Sequence, residues 1–416
     1  MNRATRTGAI TAVLFVDLNE FKGINDSYGH EVGDEVLRQL STRITESLRN
    51  GDFLARLGGD EFIVVAEDVK DVTDATTLAR RVLETLEQPV DIGTHHIALG
   101  AAVGIAMSLD GPEDPLRLLA RADAAMYRAK IHKRSAVEIF DADLQRDMTE
   151  RVEVELALSA ALADPSGGGL SLHYQPILDT AAGTLAGVEA LIRWDRPGHG
   201  PLAPDRFIPI AESSSLIIAV DRWVIDRVID QLTAWSSVPE LADIPVAVNI
   251  SGRHLLSGQL PQHLRTALER SGIDAGRLSI ELTETVVLDD LVTAAFELQA
   301  VRDLGISVAI DDFGTGYTSL AHLQQLPIDS IKIDRSLIGQ LDMKRGLALV
   351  RMVAVLGHAI DVTVIGEGVE TQTELNALQI MGADQLQGFL LSRPMTSDAL
   401  VPWAREHAIL ARSETA

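Results

Sequence analysis

The chain has 416 residues, no cysteine, 46% apolar residues and a formal net charge of −24. That length admits two domains. The missing cysteine excludes disulfides and thiolate metal sites and suits a reducing cytoplasm, and the acidic balance argues against gripping a nucleic-acid polymer by its backbone. A small phosphate ligand stays possible, because bound divalent cations reverse the local sign. No uninterrupted apolar run reaches about 18 residues, so no membrane span is expected, and the opening residues lack a signal-peptide cleavage site.

Residues 10–17, ITAVLFVD, form a continuous β-rich run and read as a buried strand ending in Asp17. A polar loop is expected next, then a helix with Val32, Val36, Leu40, Ile44 and Leu48 at helical spacing. Two short strands, FLARL and FIVVAE, flank the stretch RLGGDEF at 56–62. Gly58-Gly59 suits a two-residue hairpin turn, where positive φ favours glycine. The turn does not explain why Asp60 and Glu61 sit against it; with Asp17 from a neighbouring strand end they could share Mg²⁺ and a nucleoside triphosphate. A helix over 75–87, a strand at 96–106, a helix over 115–131 and a strand near 136–140 complete a β-α-β-β-α-β-α-β order. That order implies an α+β sheet of the ferredoxin-like, palm-type plan.

From about residue 141 the chain reads as an amphipathic helix, ended by Pro165 and Gly167-Gly168-Gly169. The expected organisation is a first domain over 1–141, a helical linker over 142–165 and a second domain over 150–410. In the second, LSLHYQPIL, AGVEALIRW, PVAVNIS, LSIELTE, SVAIDDF, SIKID, VTVIGEGV and ADQLQG are eight strand candidates alternating with helical stretches. They predict an α/β domain, a (β/α)₈-type barrel. No repeat of fixed period is visible.

Nearly every one of these strands carries a polar residue at its end: Glu189, Asn249, Glu281, Asp311 with Asp312, Lys332, Glu367 and Gln387. Any one acid reads more simply as a loop or helix cap, but the ordered set does not. C-terminal strand ends face the mouth of such a barrel, so these side chains are expected to converge. Several carboxylates and an amide oxygen are hard ligands that select Mg²⁺ or Mn²⁺, and so many acids in one cleft need cations to ionise together. Two metals on a phosphodiester would activate a water and stabilise the leaving oxygen.

EALIRW at 189–194 resembles the motif of the EAL-domain phosphodiesterases of cyclic di-GMP, and HYQPI, FIPIAE, VNIS, ELTE, DDFGTGYTSL, LPIDSIKID, GEGVE and QGFLLSRP follow in that family's order. The resemblance implies hydrolysis of cyclic di-GMP to pGpG with two Mg²⁺ or Mn²⁺ per site. It implies metal ligation by Glu189, Asn249, Glu281, Asp311, Asp312 and Glu367. It implies Lys332 and Glu367 around the attacking water, and Gln175, Arg193, Asp334, Glu370 and Gln387 on substrate. Glu284 is implied to steady the loop that begins at Asp311. Ser215 stands where the family commonly has glycine.

The first half resembles the GGDEF diguanylate cyclases, through FVDLNEFKGINDSYGHEVGDEVL, RLGGDEF and DAAMYRAK. Here the implied metal ligands are Asp17, Asp60 and the Leu18 carbonyl, with Glu61 assisting deprotonation of a 3′-hydroxyl or binding metal. Asn25 and Asp34 are implied to read guanine, and Lys22, Lys130 and Arg134 to contact phosphates. Arg49 and Asp52 match the family's inhibitory product site. The implied reaction joins two GTP, each held with Mg²⁺, so two copies must meet and a homodimer is expected. Few residues precede the first strand, so the family's usual opening segment is expected to be missing. The other expectation is a nucleotide-sensing regulator, whose first domain binds GTP or cyclic di-GMP without turnover and tunes the second domain or a partner. Both readings place the chain in the cytoplasm.

Overall fold

The computed structural model describes residues 10–93, 95–108, 114–131, 136–284, 286, 290–314, 323–341 and 344–414. The chain divides into two compact units, residues 1–151 and 152–416, the division falling within the helix Ala142–Ala163.

In the first unit, strands β1 (Ile10–Leu18), β2 (Phe53–Gly58), β3 (Glu61–Val69), β6 (Ala101–Met107) and β7 (Ala136–Ile139) make one sheet in the order β2-β3-β1-β6-β7. A small hairpin, β4 (Val90–Ile92) with β5 (His95–Ile97), lies outside it. The predicted strand at 96–106 is therefore two strands broken at Ala98–Gly100. The stretch read as a polar loop contains a helix, Phe21–Tyr28, which buries only Phe21 and Ile24. Two apolar positions are too few to announce a period. Leu14, Val16, Phe62 and Val64 pack on one face of the sheet against the helices His30–Ser47 and Val72–Glu87. Val13, Phe15 and Ile63 pack on the other, against the helix Pro115–Ile131.

The second unit holds the strands β8 (Leu170–Asp179), β9 (Leu185–Arg196), β10 (Gly200–Leu202), β11 (Val246–Asn249), β12 (Leu278–Thr283), β13 (Ser307–Phe313), β14 (Ser330–Ile333), β15 (Thr363–Gly366) and β16 (Gln385–Leu386). Their order β9-β11-β12-β13-β14-β15-β16-β8 closes through β8–β9 into an eight-stranded barrel, with β10 appended to β9. Each of these eight overlaps one of the predicted segments, most of them being shorter than predicted. One feature departs from a uniform (β/α)₈ plan: β8 runs antiparallel to both its neighbours, joined to β9 by a tight connection at Thr180–Thr184 without a helix. Val188, Val246, Val248, Ile280, Val308, Ile331 and Val364 point out of the barrel into the helical layer and are buried. Their immediate neighbours along each strand alternate to the opposite face, point in and supply the site. No helix among the described residues is long and apolar enough to cross a membrane.

Candidate active site

Lys332, on β14, is fully buried at the centre of the barrel mouth. Its Nζ donates to Glu281 Oε2 and Glu367 Oε1, each at 2.6 Å, and lies 3.4 Å from Glu189 Oε2 and Asp311 Oδ1. Asn249 Nδ2 donates to Glu189 Oε1 (2.7 Å) and Gln387 Nε2 to Glu189 Oε2 (2.6 Å). Gln387 Nε2 also reaches Gln175 Oε1 at 3.1 Å, and Gln175 Nε2 donates to the Ser392 carbonyl. The register makes this gathering possible: Glu189 pairs with Gln175 across β8–β9, and Asn249 with Glu281 across β11–β12.

Burial raises Glu281 and drives Glu367 up to about 8, Lys332 opposing both and Asp311 and Glu189 reinforcing the rise. Burial also disfavours ionised Glu189, but Lys332, Gln387 and Asn249 outweigh it and hold that carboxyl below its ordinary value. Burial would lower Lys332, yet its four acidic neighbours hold it well above the usual lysine range. Asp312, pushed up to about 6 by burial, Asp311 and Asp334, has a left-handed backbone at φ 54°. Such strain in a non-glycine residue persists only where its surroundings hold it. Part of that support is visible: Glu284 Oε2 accepts from the Gly314 N–H at 3.0 Å.

With Asp312 the mouth holds five carboxylates against one ammonium, an excess of four negative charges when all are ionised. One oxygen from each of Asp311, Asp312 and Glu367 lies within 4.8 Å of the others. The Gln387 Oε1 is buried without a hydrogen-bond partner among the described residues. This donor set, all hard oxygen, fits divalent cations. A cleft of about 560 Å³ opens beside it, lined by Arg193, Pro204, Ile208, Pro209, Ile217, Asn249, Thr283 and Asp312, a volume suited to a small ligand. Burial lowers Arg193, which stays cationic, and its Nη1 donates to the Ile192 carbonyl. Asp334 caps the helix Arg335–Ile338 through Ser336 N–H (2.9 Å), while exposed Glu370 lies 3.9 Å from Arg335.

The charge pattern carries a pH expectation for the metal-free chain. Glu367 titrates near 4.5 when unfolded and near 8 when folded, so between those values the folded state binds more protons. Its contribution to stability is therefore lost as pH rises through that window. Thermal unfolding of chelator-treated protein is expected to show Tm falling from about pH 5 to about pH 8, and a flat or rising Tm contradicts the assignment.

In the first unit the RLGGDEF hairpin turns at Gly59-Asp60, one residue later than the glycine pair suggested. Gly58 still pairs with Glu61 as the last residue of β2, and Gly59 alone takes positive φ, 55°. Arg56 closes the turn with two donations to the Gly59 carbonyl, at 2.9 and 2.7 Å. Asp17, buried, pairs in register with Glu61, and Leu18 N–H reaches the Asp60 carbonyl at 3.3 Å. Lys130 Nζ donates to Asp17 Oδ1 at 2.7 Å, so this amine is engaged with an acid of the cluster. Burial raises Glu61, reinforced by Asp17, Asp60 and Asp123 against Lys130. Burial and Asp17 raise Asp123. Asp123 was not singled out from the sequence, although it stands seven residues before Lys130 on one helix and so shares its face.

Asn25 lays its amide over Gly33, where an added Cβ would meet Asn25 Oδ1 at 2.0 Å, and Asp34 follows. Lys22 and Asp34 are exposed. Arg49 N–H donates to Asp52 Oδ2 (3.1 Å), while its guanidinium goes to Asp74 Oδ1 (3.1 Å). Arg134 and residues 315–320 of DDFGTGYTSL lie outside the described residues.

The family model of the EAL domain matches residues 155–394, and that of the diguanylate cyclase, GGDEF domain, residues 1–136. The bifunctional diguanylate cyclase/cyclic di-GMP phosphodiesterase MucR of Pseudomonas aeruginosa is 36% identical over 96% of this chain and 58% of its own length. The cyclic di-GMP phosphodiesterase NbdA of the same organism is 36% identical over 95% and 50%. The chain thus spans about half the length of these curated relatives. The solved PaMucR phosphodiesterase, in complex with c-di-GMP, is 36% identical, with TM-score 0.57 over 60% of this chain and 99% of that one. The EAL domain of Mycobacterium smegmatis DcpA is 30% identical, with TM-score 0.50 over 57% and 98%. Closed barrel, motif series and family match agree: this chain belongs to the EAL domain family and carries a GGDEF domain ahead of the barrel.

Proposed function

We propose that the barrel hydrolyses cyclic di-GMP to the linear dinucleotide pGpG. The observation that carries this reading is the ring of Glu189, Glu281, Asp311, Asp312, Glu367 and Asn249 around one buried lysine, beside a cleft large enough for part of a cyclic dinucleotide. Those six residues would hold two Mg²⁺ or Mn²⁺, which supply an activated water and neutralise charge on the phosphodiester. The water oxygen bonds to phosphorus as the P–O3′ bond opens, consuming one water per turnover. Glu367, whose Oε1 accepts from Lys332 Nζ at 2.6 Å, is the proposed proton acceptor for that water. Lys332, within 3.4 Å of four carboxylates, fixes their oxygens toward one centre. Gln387, its NH₂ spent on Glu189 and Gln175, keeps Oε1 free to accept from the water. Arg193 supplies a cation to the second phosphate, with Gln175, Asp334 and Glu370 as further substrate contacts and Glu284 supporting the Asp311–Gly314 turn. Product chromatography after incubation with cyclic di-GMP and either metal tests the reading.

A second activity rests on its own cluster. Asp17, Asp60, Glu61 and Asp123 gather at the β1 end and the hairpin, and we infer that the first unit binds GTP with Mg²⁺ there. Each such site holds one GTP, so cyclisation to cyclic di-GMP needs two copies of the chain. With GTP supplied alone, cyclic di-GMP and the pGpG made from it are expected to form, taken together, at a rate that rises with protein concentration more steeply than first order, and Asp60→Asn to remove both. GTP binding without product points instead to a regulatory role. Both reactions belong in the cytoplasm, where GTP is available.

A further inference from the structure

Asn249 is the last residue of β11, and two anchors hold the turn that follows it. On the barrel wall, Ile250 N–H donates to the Glu281 carbonyl at 2.9 Å. On the outer side, Ser251 gives both its N–H (3.0 Å) and its Oγ–H (2.6 Å) to one oxygen, Oδ2 of Asp221. Asp221 comes from the helix Leu216–Trp235, whose buried face is otherwise apolar around it: Ile217, Val220, Val224 and Ile225. An acid there is 4% exposed. Packing alone would favour an aliphatic residue, since a buried carboxylate is costly unless hydrogen bonds offset its desolvation. The same oxygen lies 3.3 Å from Nδ1 of His254, and the Ser251 Oγ accepts the His254 N–H to cap the helix Gly252–Leu256.

We infer that Asp221 is a positioning residue for the metal site: through Ser251 it fixes the turn that aims the Asn249 side chain, with its amide on Glu189, into the barrel mouth. This rests on the phosphodiesterase reading above. With the inner anchor alone, the strand end can rotate about the Ile250–Glu281 bond, and Asn249 loses its fixed direction. Outer partners of metal ligands typically govern metal affinity by about 10–100-fold.

The test is Mn²⁺ binding to the chelator-stripped full chain by calorimetry, together with steady-state kinetics across a Mn²⁺ titration. Asp221→Ala is expected to weaken Mn²⁺ binding about 10–100-fold. Excess Mn²⁺ is expected to restore kcat, with KM for cyclic di-GMP at saturating metal within about twofold of the wild type. Asp221→Asn keeps an acceptor for Ser251 and is expected to recover most of the affinity. Ser251→Ala, which removes one of two donations together with the cap on Gly252–Leu256 but leaves the helix Leu216–Trp235 intact, falls between and serves if Asp221→Ala does not fold. Mn²⁺ affinity within about twofold of the wild type in Asp221→Ala, or in Ser251→Ala where that variant serves, overturns the inference, as does a loss that excess metal does not relieve. No Mn²⁺ binding by the wild type overturns the metal-site reading itself and the inference with it.

Discussion

Glu189→Ala is expected to abolish hydrolysis of cyclic di-GMP, with a loss in kcat beyond the roughly 10–100-fold that outer partners of a metal ligand cost. Glu189 meets three groups of the mouth at once: Asn249 at 2.7 Å, Gln387 at 2.6 Å and Lys332 at 3.4 Å. Its removal therefore takes away a ligand and leaves two amides without the acceptor that orients them. Asn249 is then free to turn away and Gln387 keeps only its bond to Gln175, so excess metal is not expected to rescue the variant, in contrast to Asp221→Ala. Far-ultraviolet circular dichroism should stay unchanged, because the barrel wall beside Glu189 is held by Val188 and Ala190. Turnover of Glu189→Ala within about tenfold of the wild type contradicts the assignment.

Lys332→Met should change stability as much as activity. The substitution keeps an unbranched side chain and removes the cation that Glu189, Glu281, Asp311 and Glu367 share. Breaking a buried ion pair from one side typically costs about 3–5 kcal/mol, because the partners are left uncompensated. The acids here escape part of that by taking up protons, so in chelator the loss should be larger near pH 8 than near pH 5. Mn²⁺ should recover part of the stability and none of the hydrolysis. Urea unfolding with and without Mn²⁺ measures both, and a metal-free variant as stable as the wild type at both pH values contradicts the central role given to Lys332.

The barrel was legible because its strands are short apolar runs that each close on a polar residue, and that pattern needs no knowledge of neighbours. The inversion of β8 was not legible, since LSLHYQPIL reads the same in either direction. The acids of the mouth were visible one by one at strand ends. Their convergence on a fully buried Lys332 depends on barrel register, which periodicity alone does not specify. Asp221 left one signal, an acid interrupting the stripe of Ile217, Val220 and Val224, but its partner Ser251 lies 30 residues on and only the fold brings them together. In the first half the glycine pair pointed to a hairpin and misplaced its turn by one residue, because Gly58 remains paired in the strand. Asp17 and Asp60 were read together from strand order, whereas Asp123 arrives from a helix packed across the sheet.

The most direct measurement is chromatographic product analysis of the purified full chain, supplied with cyclic di-GMP in Mg²⁺ and, separately, in Mn²⁺. The expected result is pGpG, formed with at least one metal and lost when chelator is added. Unchanged cyclic di-GMP under both metals would contradict the assignment of the barrel as a phosphodiesterase.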